Sequence, residues 1–185
     1  MKFLKFFIVI FISLTTSIKA DLNKNLINQL KDGGKLIFIR HAYAPGNGDP
    51  NNFNLTDCST QRNLNSIGRK QAKDIGEFCR ENKIKIYKVL SSEWCRCKET
   101  ADIAFNNYST NSFLNSFYSS KYAKNKDKQV EALNDYVKKF KSDKNLIFVT
   151  HYVLISEVLN YGPSSGEIVV SDKNFNIVGT VEIDY

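Results

Sequence analysis

Two stretches of the chain repeat one pattern of apolar and polar positions: Lys35-Leu36-Ile37-Phe38-Ile39-Arg40-His41 and Asn145-Leu146-Ile147-Phe148-Val149-Thr150-His151. Continuous apolar runs of about five residues predict strands buried on both faces, as in a parallel sheet covered by helices. In open sheets of that kind the ligand crevice lies beyond the carboxyl ends of the strands. Both histidines, the only two in the chain, are therefore expected to face one crevice. A lone histidine where a strand emerges is more often a polar residue bonded to the next loop. Two at equivalent strand ends, one of them preceded by Arg40, point instead to a site.

The remaining pattern supplies the rest of the sheet and its cover. Leu22 to Lys31 reads as a short amphipathic helix ending at Gly33-Gly34, where glycine can take the left-handed conformation that closes a helix. Lys35 to Arg40 is the first strand. Ala42 to Asn63 is rich in Pro, Gly, Asn and Asp, and loops of that length inside a compact domain tend to be functional. Asn65 or Ser66 caps a helix running to about Glu81, Ile86 to Ser91 forms the next strand, and a helix spans Cys95 to Phe105. Asn106 to Lys126 is polar and tyrosine-rich, with a short strand expected near Phe113 to Phe117, and is placed over the crevice as a cap. Val130, Leu133, Val137 and Phe140 recur at spacings of three and four, predicting a helix over Asp127 to Lys141. The strand Leu146 to Thr150, a helix from Val153 to Leu159, and strands Glu167 to Ser171 and Ile177 to Ile183 complete the order. Strands separated by helices define the expected fold class: α/β, a three-layer sandwich with a mainly parallel central sheet flanked by helices.

The 185 residues suit one domain with a core large enough to fold unaided. That domain is expected to span 21–185, because residues 1–20 read as a secretory signal: Lys2 and Lys5, an apolar stretch from Phe6 to Leu14, and a cleavage-like Ser17-Ile18-Lys19-Ala20. The stretch is short of the roughly 20 apolar residues that span a bilayer. The chain is accordingly expected to be exported, periplasmic or secreted, with a retained anchor as the alternative. The signal would take Lys2, Lys5 and Lys19 from a formal charge of +7. The remaining excess lies mostly in Lys121 to Lys144 as a solvated surface; it forms no basic stripe that would argue for nucleic acid.

Four cysteines in an exported chain invite disulfides. Cys95 and Cys97 point to different sides of one helix, and Cys79 shares a helical face with Ala72 and Ile75. A bridge is expected from Cys58 to either Cys95 or Cys97, tying the long loop to the helix that carries Arg96.

Four further elements then fall into register: Arg40-His41-Ala42 after the first strand, Leu64-Asn65-Ser66-Ile67-Gly68-Arg69-Lys70-Gln71-Ala72 opening a helix, Ser91-Ser92 with Arg96 and Thr100-Ala101, and Thr150-His151 after a later strand. Together they resemble the histidine phosphatase superfamily, and within it the phosphoglycerate-mutase-like branch. The resemblance covers nearly all of the chain beyond residue 20. It implies that His41 is a nucleophile that becomes phosphorylated and is then hydrolysed. It further implies that Arg40 and Arg96 bind the phosphoryl group and that His151 donates a hydrogen bond to it. The residue types suit the task, since a neutral nitrogen can attack phosphorus while guanidinium groups present paired donors to the phosphoryl oxygens. Ser91 and Ser92 are expected to cap the local loop or helix, and Gly68 and Thr100 to be packing or backbone positions.

The chain departs from the family pattern at Ala42 and Tyr152, where glycine is usual, and in having no acid between Phe105 and Tyr122 to protonate a leaving oxygen. Asp49, Asp57 or Glu131 would have to supply that proton, with Asp49 preferred. Two histidines and scattered carboxylates give no metal-ligand spacing, and Cys95-x-Cys97 lacks a second pair, so neither a metal nor a cofactor is expected. The expected function is an exported, metal-independent phosphatase acting on a small phosphomonoester or a phosphorylated envelope sugar. No nucleic-acid partner and no stable membrane insertion after signal removal are expected. A non-catalytic anion-binding module is the alternative from another class, and a mutase is a third option.

Overall fold

The computed structural model describes residues 24–184. The expected signal, residues 1–20, lies outside the described residues, as do the first two residues of the first predicted helix. Among the described residues no helix is long and apolar enough to cross a membrane.

Residues 24–32 are helical (α1) and end before Gly33, which takes φ +86° as a helix-closing glycine. Then follow β1 (Leu36–Arg40), α2 (Ser66–Glu81), β2 (Ile86–Ser91), α3 (Cys95–Phe105), β3 (Ser109–Thr110), α4 (Ser120–Ala123), α5 (Lys126–Lys139), β4 (Asn145–Thr150), α6 (Tyr152–Leu159), β5 (Ile168–Ser171) and β6 (Ile177–Val181). The six strands form one sheet in the order β3-β2-β4-β1-β5-β6. Pairings β2/β3, β2/β4 and β1/β4 are parallel, while β1/β5 and β5/β6 are antiparallel, as the final hairpin requires.

The pleat sorts each buried strand between two cores, because successive side chains point to opposite faces. Ile37, Ile39, Ile147 and Val149 pack with Leu30 of α1, Ile75 of α2 and Ala101 of α3. Leu36, Phe38, Leu146 and Phe148 pack on the other face with Leu133 and Val137 of α5 and Leu154 and Ile155 of α6. Helices thus cover both faces, giving the three-layer sandwich that the runs predict.

Asn65 is the helix cap: its side chain accepts from the Gly68 backbone N–H at 2.9 Å, satisfying a donor left free at the start of α2. Close packing explains both glycines of this helix. A Cβ on Gly68 would fall 1.9 Å from the Tyr43 carbonyl oxygen, and one on Gly76 would fall 2.3 Å from that of Ala104 on α3.

The strand expected near Phe113 to Phe117 is not formed. The chain makes a 3₁₀ turn at Ser112–Leu114 instead, capped by the Asn111 side chain, and the short strand lies earlier at Ser109–Thr110. Phe113, Leu114 and Phe117 all enter the α5/α6 core, and burial of adjacent residues on one side suits a turn better than an alternating strand. Of the two pairings open to Cys58, the one formed is with Cys95; Cys79 and Cys97 are buried free thiols.

Candidate functional site

The site begins with strand register. Arg40 is the direct partner of Thr150 in the parallel β1/β4 ladder, so the residue after each, His41 and His151, emerges at the same sheet edge. The His41 backbone N–H extends the ladder by donating to the Thr150 carbonyl at 2.9 Å. The two rings lie 5.5 Å apart, edge to face, and both are buried.

His41 has a defined tautomer. Its Nδ1 lies 2.9 Å from the Ala42 carbonyl oxygen, which can only accept, so the proton sits on Nδ1 and Nε2 carries the lone pair. Arg96 Nε donates to that Nε2 at 3.1 Å, which agrees with the assignment. Ala42 avoids positive φ, so a side chain in place of the family's glycine is accommodated there. Its N–H donates to Thr100 Oγ1 at 3.0 Å, and that hydroxyl donates to the Arg96 carbonyl at 2.7 Å. Thr100 thereby locks the turn after β1 to the first turn of α3.

His151 is read through Ser92. Ser92 Oγ lies 2.9 Å from His151 Nε2 and donates to Asn115 Oδ1 at 3.1 Å, so its lone pair receives the His151 Nε2 proton. Cys97 Sγ stands 3.5 Å from the same nitrogen; burial first pushes its thiol up to about 12, which makes it inert. Burial, followed by the charge of Arg96, holds both imidazoles well below their ordinary range, so both are neutral near pH 7.

Around the rings opens a cavity of about 640 Å³, lined by the ends of β1 and β4, the long loop, the start of α3, and the 106–126 segment through Ser116, Tyr118 and Tyr122. Arg40, Arg62 and Arg96 line it. Arg40 donates from Nη1 to the Pro163 carbonyl at 2.8 Å and lies 5.4 Å from the Tyr152 ring centre. Tyr152, 46% exposed, lines the same cavity. The sequence reading missed Arg62. Its Nε donates to the Gly48 carbonyl at 2.9 Å and its Nη1 to that of Ala44, while burial and then the charge of Arg96 lower it to about 10. A loop has no periodicity from which its inward aim could be read.

Among the described residues, Asp49 is the one carboxylate lining the cavity. It bridges Arg96 Nη1 at 2.7 Å and Nη2 at 3.2 Å, and accepts from Trp94 Nε1 at 3.0 Å and the Arg62 backbone N–H at 3.1 Å. Burial alone would raise its pKa; the bonds from Arg96 and Trp94 outweigh this and hold it below the ordinary carboxylate value. Asp57 is exposed and caps the turn at Ser59, and Glu131 lies on the exposed face of α5, so neither reaches the cavity. Among the described residues no group of three His, Cys, Asp or Glu side chains is set to hold a metal ion.

The α/β sandwich brings paired histidines and guanidinium groups to its strand ends, an arrangement whose donors could hold an oxyanion. The model for the histidine phosphatase superfamily (branch 1) matches residues 36–111, from the start of β1 to just beyond β3. Over that stretch, less than half of its length, the chain is similar to the histidine phosphatase superfamily. The fold is shared with phosphoglycerate mutase from Thermus thermophilus at 16% identity and TM-score 0.57, covering 81% of this chain and 99% of that one. It is shared with the product of open reading frame Rv3214 from Mycobacterium tuberculosis at 13% identity and TM-score 0.57, covering 81% and 96%. The protein histidine phosphatase SixA, solved with tungstate, aligns at 14% identity and TM-score 0.51, covering 77% and 92%. No curated protein matches the chain by sequence.

Proposed function

We propose that the protein is an exported phosphatase that hydrolyses a phosphomonoester without a metal, through a phosphohistidine at His41. The observation that carries this reading is the His41 tautomer. Nδ1 gives its proton to the Ala42 carbonyl, leaving the Nε2 lone pair beside the Arg96 guanidinium within a cationic cavity.

In the first step Arg96 Nε–H passes from His41 Nε2 to a phosphoryl oxygen, the freed Nε2 lone pair attacks phosphorus and the ester P–O bond breaks. The leaving oxygen takes the bond pair and is protonated from water. Arg40 and Arg96, as the family resemblance implies, and Arg62, which lines the same cavity, meet the charge on the three equatorial oxygens. In the second step water attacks phosphorus, the N–P bond breaks, and inorganic phosphate departs from neutral His41. As the resemblance implies, His151 would turn its Nε2–H from Ser92 Oγ, its partner in the free protein, to the phosphoryl group. Burial first, then the Arg96 charge, lowers the His151 pKa; a bound phosphate dianion offsets the second of these and shifts the balance toward the imidazolium. A small phosphorylated compound or a phosphorylated envelope sugar suits the cavity and the expected compartment.

Phosphate release from p-nitrophenyl phosphate in the presence of chelator is the direct test, with an acid-labile phosphate on His41 expected in quenched samples. Full activity in His41→Ala would remove the mechanism. The ion-paired state of Asp49 motivates a second reading, an anion-binding module without turnover. Phosphate binding with no hydrolysis across a broad substrate panel would favour it. Transfer of the phosphoryl group to a second substrate in preference to water would make the protein a mutase.

A further inference from the structure

A guanidinium group has two edges able to make paired hydrogen bonds, and in Arg96 they are used differently. Its end edge is filled by Asp49, with Nη1 on Oδ1 at 2.7 Å and Nη2 on Oδ2 at 3.2 Å. Its lateral edge is turned to His41, where Nε donates to Nε2 at 3.1 Å. We infer that Asp49 is a positioning residue: by occupying the end of the Arg96 guanidinium it aims the lateral edge at His41 Nε2 and at a phosphoryl group bound there. The inference rests on the functional reading above and replaces the expectation that Asp49 gives a proton to the leaving oxygen.

Three observations support it. The first is that Asp49 is saturated: Oδ1 accepts from Arg96 Nη1 and the Arg62 N–H, and Oδ2 from Trp94 Nε1 and Arg96 Nη2. A proton added to either oxygen would confront a donor already in place, whereas the carboxylate satisfies all four. The second is that the pair is protected, since side-chain exposure is 4% for Arg96 and 17% for Asp49. Ion pairs removed from solvent hold geometry that exposed pairs do not. The third is that Asp49 is itself fixed. Its loop is tied to α3 by the Cys58–Cys95 disulfide, and Trp94 is stacked on Phe53 at 5.0 Å and packed edge-on against Tyr122 at 5.6 Å. Arg96 without this partner would keep only its bonds to His41 Nε2 at 3.1 Å and to the Arg62 carbonyl at 3.3 Å, and fixing its guanidinium plane would draw on phosphate binding energy.

The test compares wild type, Asp49→Asn and Asp49→Ala at pH 7. Inorganic phosphate binding is read by calorimetry, and kcat/KM is read with p-nitrophenyl phosphate and with phenyl phosphate, whose leaving group is poorer. Asp49→Ala is expected to weaken phosphate binding by about tenfold or more, as loss of an orienting partner does at other built sites, and Asp49→Asn by less, since it keeps an acceptor. Both substrates should lose rate in parallel. Unchanged or tighter phosphate binding in Asp49→Ala would mean that the carboxylate only offsets charge, and a loss confined to phenyl phosphate would restore the proton donor; either overturns the inference. The Arg96 Nε–H resonance in the free protein is a readout that needs no phosphate: slow to exchange in wild type, it should broaden or vanish in Asp49→Ala, and its persistence overturns the inference. Wild-type protein that binds no phosphate while Asp49→Ala loses this resonance would count against the functional reading alone.

Discussion

His41 and His151 stand 5.5 Å apart, ring centre to ring centre, because each follows a residue of one paired rung, Arg40 opposite Thr150. Parallel strands keep equivalent residues side by side, so a one-residue change of register would send one ring to the opposite face of the sheet. Two imidazoles, delivered by the most deeply buried part of the sheet, are thereby held against the start of a third element, α3.

The different settings of the two rings lead to different mutant phenotypes. His41→Ala should abolish turnover while leaving the fold intact, since the ring contributes a nucleophile to a cavity wall. His151→Asn should retain His41 phosphorylation but slow it by about 100-fold, the usual loss on removing one preorganised donor to a developing charge. Arg96→Lys should fall comparably, because an ammonium lacks the planar fork that pairs two nitrogens with Asp49 while a third faces His41. Rapid-quench measurement of phosphohistidine formation checks all three.

Burial, followed by the Arg96 charge, depresses the pKa of both histidines below 6.5. His41 therefore stays neutral into mildly acid solution, and the acid limb of kcat/KM, corrected for substrate ionisation, should lie below pH 6.5. The same shift fixes the sign for stability. Near and below pH 6.5 the unfolded histidines take up protons that the folded ones do not, so stability is full above that pH and declines as pH falls toward the folded values. Urea midpoints at pH 7.5 and 5.5 should differ in that direction, and an equal or higher midpoint at pH 5.5 would contradict it.

Cys58 and Cys95 close a loop with a sequence separation of 37 that contains the α2 helix. Replacing both by serine should cost about 4 kcal/mol on the chain-entropy account, read as a lower urea midpoint. Because the bridge also anchors the loop that carries Asp49 and Arg62, KM should rise more than kcat falls.

Gly68→Ala should be far more damaging than an ordinary helix substitution. Its new Cβ would fall 1.9 Å from the Tyr43 carbonyl, so the start of the long loop must shift away from α2. Loss of thermal stability and weaker phosphate binding are expected together, whereas a surface helix position would gain a little stability from the same change.

Much of this architecture is legible along the chain. The apolar runs of β1 and β4 mark strands because only a doubly covered sheet buries every successive residue, and Asn65 announces α2 by supplying an acceptor to its free donors. The segment around Phe113 to Phe117 misleads because three apolar residues in five carry no distinct period. Burial against α5 and α6, a tertiary matter, makes them a turn.

By itself, then, the sequence determined the strand-histidine units and the helices between them, because periodicity and capping are local and speak to one element at a time; the expectation of an anion site came from the family resemblance. Only the tertiary structure decided that Cys58 meets Cys95 while Cys97 turns inward to His151, that Arg62 enters the cavity, and that Asp49 grips Arg96. Those contacts join an irregular loop to the first turn of a distant helix. Their partners are set by how two elements dock, which no local pattern encodes.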